Sequence, residues 1–160
     1  MTPEHHRFVI LLAEDELADA HLIKVAIAEN HILADLHHVM DGREALDYLQ
    51  RHGARFATAA RPDLILLDLN MPRMDGREFL AAIKQLPDLR DIPVVVLTTS
   101  EVERDVVASY GLGAAGYITK PVDVLQFMAT IRDLGNYWIH LVRLPKNPDS
   151  GGQHARQLYI

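Results

Sequence analysis

The chain has 160 residues and no cysteine, which excludes disulfide bonds, thiol catalysis and cysteine-based zinc or iron sites. Its 22 acidic and 16 basic residues give a formal net charge of -6, which disfavours a protein that mainly grips nucleic-acid phosphates. The N-terminus lacks the layout of a secretory signal, and no apolar stretch approaches membrane-spanning length. We therefore expect one cytoplasmic globular domain with neither a nucleic-acid nor a membrane partner.

The first predicted strand is the continuous apolar run FVILLA at residues 8–13, typical of a strand buried on both faces of a parallel sheet. It delivers Glu14 and Asp15 at its carboxyl end. Apolar residues at helical spacing predict a helix over residues 17–30. The weak alternation of residues 34–40 predicts an edge strand.

The tetrapeptide Asp-Gly-Arg-Glu occurs at residues 41–44 and again at 75–78, each time before a helical apolar pattern. In both, the Asp is expected to cap the helix and the Glu to reach back, as in a capping box. Between these helices, residues 52–61 form an alanine-rich connection that is either a loop or a helix extension. The apolar run 64–67 then predicts a buried strand that presents Asp68 at its end.

The second half of the chain continues this alternation. Pro87 is expected to end the third helix, and residues 92–97 predict a β-branched strand that presents Thr98. A capping box at Ser100 and Glu103 starts the next helix, which Gly111 ends. Residues 116–119 form the last predicted strand, Lys120 follows it, and a final helix begins at residue 123.

Strands and helices thus alternate five times, which predicts an α/β fold with a doubly wound five-stranded parallel sheet in the order 2-1-3-4-5. The predicted organisation is an N-terminal segment of residues 1–7, a domain over 8–144 with an extended last helix, and a mobile tail over 145–160. This strand order places the carboxyl ends of the first and third strands side by side.

Polar side chains from these strand ends are expected to meet in one crevice, namely Glu14, Asp15, Asp68, Thr98 and Lys120. An isolated Asp after a strand is more often a helix cap, so its companions decide the assignment. Carboxylates held in contact repel by about 4 kcal/mol per pair at an effective dielectric near 20, and a cation is needed there. Oxygen ligands favour Mg²⁺ over Zn²⁺. A carboxylate beside Mg²⁺, a lysine and a hydroxyl is an arrangement suited to phosphoryl transfer to an aspartate.

Over roughly residues 8–140 the sequence resembles the receiver domains of two-component response regulators. The resemblance rests on Glu14-Asp15, the stretch DLNMP at 68–72 with Gly76, Thr98, Tyr117, and Lys120-Pro121. It implies a flavodoxin-like receiver fold, a bound Mg²⁺ and a sensor histidine kinase as partner.

The resemblance also implies roles for individual residues. Asp68 would be the phosphoacceptor and a metal ligand, Asp15 a direct ligand, Glu14 a ligand through water, and Asn70 a ligand through its backbone carbonyl. Thr98 and Tyr117 would form the switch pair and Lys120 would bind phosphate, with a cis peptide before Pro121. Such a protein performs only its own phosphotransfer and dephosphorylation, so we class it as a switch and not as an enzyme.

A narrower resemblance links the chain to the single-domain regulators of bacterial and cyanobacterial phytochromes. It rests on DLNMPRMDGREFL, the long connection before Asp63, IPVVVLTTSE, YITKPVDVLQFM and the closing YWIHLVRLP. It implies a phytochrome-type histidine kinase as the phosphodonor.

The end of the last predicted helix is unusually apolar. It packs either on its own sheet or against a second copy of the chain, because one terminal helix of a small domain cannot easily cover so many large apolar groups. The candidate residues of a dimer interface are Tyr137, Trp138, Ile139, Leu141, Val142 and Leu144.

Two other functions stay open at this point. A phosphatase acting on small phosphoesters also uses an Asp after a buried strand, but such enzymes generally carry a second acid two residues later, where this chain has Asn70. A degenerate receiver could serve only as a binding module. The glycines at residues 111–116 match a dinucleotide-binding pattern in the wrong context, and the histidine pairs are interpreted as solvated surface.

Overall fold

The computed structural model describes residues 8–29, 34–98, 113–120, 125–126, 129–130, 132–133, 136 and 158–159, apart from the side chains of residues 98, 119, 158 and 159. The strands are β1 (Phe8–Ala13), β2 (Ala34–Val39), β3 (Leu64–Asp68), β4 (Val94–Thr98), β5 (Gly116–Thr119) and β6 (Leu158–Tyr159). The helices are α1 (Leu17–Glu29), α2 (Gly42–Leu49) and α3 (Gly76–Lys84), with a 3₁₀ turn at Ala54–Phe56.

The strands form one parallel sheet in the order β2-β1-β3-β4-β5-β6. The first five strands confirm the predicted order 2-1-3-4-5. The two-residue strand β6 was not predicted; it pairs with Gly116 and Tyr117 of β5 and lies in the segment expected to be a mobile tail. The boundaries 1–7, 8–144 and 145–160 themselves stay a prediction.

Alternate residues of the central strands enter two separate apolar cores, one on each face of the sheet. Leu11, Ile65 and Val96 lie in the core that includes Phe79 and Leu80 of α3. Leu12, Leu66 and Leu97 lie in the core that includes Ile23 and Ala26 of α1. Both faces are therefore covered, which explains why β1 and β3 are apolar throughout and not alternating.

The two helix starts predicted as capping boxes differ in detail. At α3 the box is complete, because Glu78 N–H donates to Asp75 at 2.9 Å and Asp75 N–H donates to Glu78 at 3.4 Å. At α2 the Asp41 carboxylate accepts from Glu44 N–H at 2.8 Å, but the Glu44 carboxylate accepts from Met40 N–H. The prediction of a full box at α2 is therefore wrong by one residue, since the glutamate reaches past the cap to Met40, the residue that follows β2.

Several element boundaries differ from the prediction. The alanine-rich connection is a loop with a short 3₁₀ turn, fixed by an edge-to-face contact between Phe56 and Tyr48 at 5.6 Å. Helix α3 ends at Lys84, three residues before Pro87. The helix expected between Ser100 and Gly111 lies outside the described residues, and of the final helix residues 125–126, 129–130, 132–133 and 136 are helical. Within the described part of the chain, no helix combines the length and apolarity that crossing a bilayer requires.

Candidate functional site

The carboxyl ends of β1 and β3 bring three acids together. The two strands are neighbours in parallel register, with Ala13 opposite Leu67, so the residues that follow them emerge at the same edge. Glu14, Asp15 and Asp68 each offer an oxygen within 4.8 Å of the others. Glu14 is 0% exposed and Asp68 is 3% exposed, so this negative charge is shielded from water. The acidic cluster predicted from the sequence is present.

Lys120 supplies the positive charge of this cluster. It follows β5 directly, and its Nζ donates to Glu14 at 2.6 Å and to Asp19 at 3.0 Å. The Asp68 carboxylate lies 3.6 Å from the same nitrogen, within ion-pair range but beyond a good hydrogen bond. The lysine is therefore held by its neighbours while remaining close to Asp68.

The pKa values of these groups respond to burial and to each other. Burial, followed by the Glu14 charge, raises the pKa of Asp68 from 3.8 to about 7, although Lys120 opposes the shift. Burial also raises the pKa of Glu14 against the opposing effect of Lys120. For Lys120, burial favours the neutral form, but the hydrogen bond to Glu14 and the surrounding carboxylates outweigh it and raise the pKa. One lysine thus does not neutralise the carboxylates that surround it.

The donor set fits a divalent cation. Oδ1 of Asp15 is buried and has no hydrogen-bond partner among the described residues, although buried polar atoms normally have one. Three carboxylates against one ammonium leave a net negative charge, and hard oxygen ligands suit Mg²⁺. The carboxylates that could hold such an ion are those of Glu14, Asp15 and Asp68. The roles expected for the Asn70 backbone carbonyl and for Glu14 through water stay predictions.

The loop after β3 is built tightly enough to fix the position of Asp68. Gly76 N–H donates to Leu69 at 3.0 Å, and a Cβ at Gly76 would lie 2.5 Å from the Asp68 backbone oxygen. Only glycine allows α3 to begin this close to the end of β3. Asn70 N–H lies 3.4 Å from Oδ1 of Asp68. The turn therefore holds Asn70 beside the phosphoacceptor candidate.

A second anchor of this loop comes from the start of α2. Arg73, which has a left-handed backbone with φ of 62°, donates from Nε to Asp41 at 2.6 Å and also contacts it through Nη2. Gly42 N–H donates to Met74 at 2.9 Å, and a Cβ at Gly42 would lie 2.7 Å from that carbonyl. We call Arg73 and Asp41 the loop clamp, because together they tie the β3–α3 loop to α2.

The remaining predicted site residues are placed only in part. Thr98 ends β4 in the strand beside Asp68, and its side chain lies outside the described residues. Tyr117 lies in β5 opposite Val96 and is 2% exposed. The predicted cis peptide before Pro121 and the six dimer candidates at residues 137–144 also lie outside the described residues. The switch pair and the interface stay predictions.

Three contacts at the site were not predicted. Asp19 in the first turn of α1 was overlooked, because an acid there is already explained by the helix dipole. The loop clamp joins residues 32 positions apart, and no local pattern indicates it. A ring nitrogen of His38 lies 2.7 Å from the backbone oxygen of Glu14. The interpretation of this histidine as solvated surface is wrong, since its ring is partly buried against the acidic loop.

Comparison with known proteins decides the family. The sequence model of the family described as the response regulator receiver domain matches residues 10–132 of this chain, which include all three acids and Lys120. The chain belongs to this receiver family. It is thus a signalling domain whose phosphodonor is a histidine kinase, and Mg²⁺ is the metal that receivers bind in such an acidic pocket.

The relatives of this receiver include regulators of phytochromes. It is 45% identical over 137 residues to response regulator Rcp1 of Synechocystis sp., covering 86% of this chain and 92% of the relative. The crystal structure of the phosphorylated cyanobacterial phytochrome response regulator RcpA matches with a TM-score of 0.78 and 44% identity, covering 88% of this chain and 99% of that one. The Mn²⁺-bound form of Rcp1 matches with a TM-score of 0.77 and 45% identity, covering 87% and 99%.

Proposed function

We propose that this receiver accepts a phosphoryl group on Asp68 from a sensor histidine kinase. The observation that carries the proposal is the position of Asp68 at the end of β3, 3.6 Å from Lys120 Nζ and inside the cluster with Glu14 and Asp15. Among the three acids of the cluster, Asp68 is the one that belongs to β3, as its last residue, and the tightly built β3–α3 loop fixes it there.

The chemistry assigned to these residues is a direct transfer. An oxygen of ionised Asp68 attacks the phosphorus of a phosphohistidine, an O–P bond forms, the P–N bond breaks, and the imidazole nitrogen leaves with the electron pair. Lys120 would donate to a phosphoryl oxygen, and Asp15, Asp68 and the Asn70 carbonyl would hold the metal, with Glu14 acting through water. Mg²⁺, when bound, neutralises charge on the transferring group. Burial of Asp68 limits access of water to the acyl phosphate.

The proposed kinase is of the phytochrome type. The support is the similarity to Rcp1 and to RcpA, the second of which is a phytochrome response regulator by name. These relatives are matched over almost their whole length and not over a shared core alone. A light-sensing kinase is accordingly the first donor to test.

The proposed output is a change in protein association. Thr98 and Tyr117 would pass the phosphorylated state from the site to the surface of the chain, and residues 137–144 would form a homodimer interface. The protein would act as a switch without an external product and without a nucleic-acid partner. Its cytoplasmic location also stays a prediction. Light scattering during size exclusion, with and without beryllofluoride, tests the association; an unchanged monomer in both states would contradict it.

The transfer is tested with a small phosphodonor such as phosphoramidate, Mg²⁺ and intact-protein mass spectrometry. We expect wild type to gain one phosphoryl group that base hydrolyses, and Asp68→Asn to gain none. Asp63→Asn is the matched control, because Asp63 lies just before the same strand, where it accepts from Val9 N–H at 2.8 Å, far from the cluster. Its uptake should equal that of wild type. Base-labile phosphate on Asp68→Asn would refute the assignment of the acceptor.

The same preparation separates the two rival functions. A phosphatase would release phosphate continuously from a chromogenic phosphoester, whereas a receiver stops after one equivalent. A binding module without transfer chemistry would take up no phosphoryl group and would show no Mg²⁺ dependence. The complete set of acids with Lys120 favours transfer over both.

A further inference from the structure

The Lys120 ammonium is shared between the acidic cluster and helix α1. Its hydrogen bonds go to Glu14 at 2.6 Å and to Asp19 at 3.0 Å, and the Asp68 carboxylate is more distant at 3.6 Å. The Lys120 side chain is 10% exposed, so few water molecules can take the place of these partners. Asp19 thus holds the lysine without belonging to the strand ends that form the metal site.

Asp19 differs from the other partners of Lys120 in its exposure. Its side chain is 34% exposed, whereas the side chains of Glu14 and Asp68 are 0% and 4% exposed. Breaking the contact with Asp19 lets water hydrate that carboxylate. Breaking the contact with Glu14 would instead take the ammonium away from a fully buried carboxylate, which would keep only the Glu16 N–H at 3.1 Å as a donor within the described residues. Asp19 is therefore the partner that Lys120 can leave at the lowest cost.

An ammonium has three donors, and a phosphoryl group on Asp68 presents several strong acceptor oxygens. The phosphorylated aspartate also carries more negative charge than the free carboxylate, so its attraction for Lys120 is greater. A modest movement of Nζ away from Asp19 and toward Asp68 would satisfy this new acceptor while the bond to Glu14 is kept.

We propose that Asp19 is a positioning residue that holds Lys120 in the unphosphorylated protein and releases it when a phosphoryl group occupies Asp68. The proposal rests on the proposed function of Asp68 and Lys120. Asp19 opposes phosphoryl binding, because its carboxylate competes with the incoming group for the Lys120 ammonium and holds Nζ at 3.6 Å from Asp68. Removal of its charge should therefore strengthen the binding of a phosphoryl analogue.

The test is a titration with beryllofluoride in Mg²⁺, followed by calorimetry, on the full chain. We expect Asp19→Asn to bind about threefold more tightly than wild type, the ratio expected for the loss of one partly exposed ion pair. Asp19→Glu, which retains a carboxylate within reach of Lys120, should stay near wild type. Equal or weaker binding by Asp19→Asn would overturn the proposal.

Glu16→Gln is the matched control for a general charge effect. Glu16 lies in the β1–α1 turn, three residues before Asp19, and is exposed, and its side chain forms no ion pair within the described part of the chain. We expect its affinity for beryllofluoride to stay at the wild-type value. An increase equal to that of Asp19→Asn would attribute the effect to net charge and would also overturn the proposal.

A second readout needs neither metal nor phosphoryl analogue. In the metal-free protein, the Lys120 ammonium protons should be protected from exchange with water, which ¹⁵N NMR of the lysine side chain detects. Asp19→Asn should weaken this protection, whereas Glu16→Gln should not. Unchanged protection in Asp19→Asn would show that Asp19 does not hold the lysine. If wild type fails to bind beryllofluoride but this protection is lost as expected, the proposed function fails and the resting contact stands.

Discussion

Asp41 and Asp68 are both buried aspartates at the carboxyl ends of parallel strands. Asp41 lies two residues beyond β2 and Asp68 is the last residue of β3, but their hydrogen-bond partners and neighbouring charges differ. Asp41 is 0% exposed and Asp68 is 3% exposed. Asp41 accepts from Glu44 N–H at 2.8 Å and from Arg73 Nε at 2.6 Å. Asp68 faces the Glu14 carboxylate, and its contacts to Asn70 N–H and Lys120 are longer, at 3.4 and 3.6 Å.

The difference shows what separates a structural carboxylate from a chemical one. Asp41 has hydrogen-bond donors on both oxygens, so its burial stabilises α2 and the loop clamp. Asp68 has incomplete partners and a like-charged neighbour, and its pKa is raised to about 7. The fold thus keeps a carboxylate in an unfavourable environment, and this is the property that favours binding of a cation or a phosphoryl group.

The largest expected effect on stability comes from removing the satisfied carboxylate. We expect Asp41→Ala to lower the free energy of unfolding by about 3 kcal/mol, because the helix cap is lost together with the buried partner of Arg73. Asp75→Ala, at the more exposed cap of α3, should cost only about 1 kcal/mol. Urea denaturation monitored by circular dichroism measures both. Equal costs would show that the loop clamp adds nothing to the cap.

Removal of the Asp68 carboxylate should raise the free energy of unfolding instead of lowering it. The pKa of Asp68 is raised from 3.8 to about 7, so the native metal-free protein binds more protons than the unfolded chain between these pH values. Its stability must therefore fall as the pH rises through that window. Asp68→Asn lacks this penalty, and we expect it to be about 2 kcal/mol more stable than wild type near pH 8.

The pH dependence is the decisive part of that measurement. The difference between Asp68→Asn and wild type should shrink as the pH falls and approach zero below about pH 3, where Asp68 is largely protonated in both the native and the unfolded state. Urea denaturation in EDTA at several pH values gives the curve. A difference that does not vary with pH would show that charge on Asp68 is not its cause.

Mg²⁺ should reverse this destabilisation in wild type. A cation that binds only the native state adds about 1.4 kcal/mol at a concentration ten times its dissociation constant. We expect Asp15→Asn to lose most of this gain, because Oδ1 of Asp15 is a buried acceptor at the acidic cluster with no hydrogen-bond partner among the described residues. Thermal unfolding with and without Mg²⁺ measures the effect, and Asp63→Asn is a control that should keep it. A full Mg²⁺ response in Asp15→Asn would remove this residue from the ligand set.

The smallest expected effect concerns the arginine of the loop clamp. Because the Arg73 side chain is 67% exposed, its removal opens the otherwise buried Asp41 carboxylate to water, and we expect Arg73→Ala to cost only about 1 kcal/mol. Because the β3–α3 loop carries Asn70, the variant should also bind Mg²⁺ more weakly than wild type. Arg73→Lys should recover the charge but only part of the binding, since lysine lacks the forked geometry. Identical metal affinity in all three proteins would contradict a positioning role.

Most of the fold could be predicted from local patterns. The runs at β1 and β3 are continuously apolar because both of their faces are covered, and such runs give a parallel sheet its signature. Strand ends then indicate where acids collect, and this is how Glu14, Asp15, Asp68 and Lys120 were found. The capping pattern gave the wrong donor for the Glu44 carboxylate, because a glutamate at this position can accept from the backbone N–H of the cap residue or of the residue before it.

The sequence by itself determined the alternation of strands and helices, the receiver family, and the acids that meet at the carboxyl edge of the sheet. The tertiary structure decided which charged groups pair: Lys120 with Asp19, 101 positions apart, and Arg73 with Asp41, 32 positions apart. Local sequence already explains these residues without a distant partner: Asp19 as an acid in the first turn of a helix, Asp41 as a helix cap, and Arg73 and Lys120 as cations that follow a strand. Their pairing depends on distances across the folded sheet, and a linear pattern does not contain those distances.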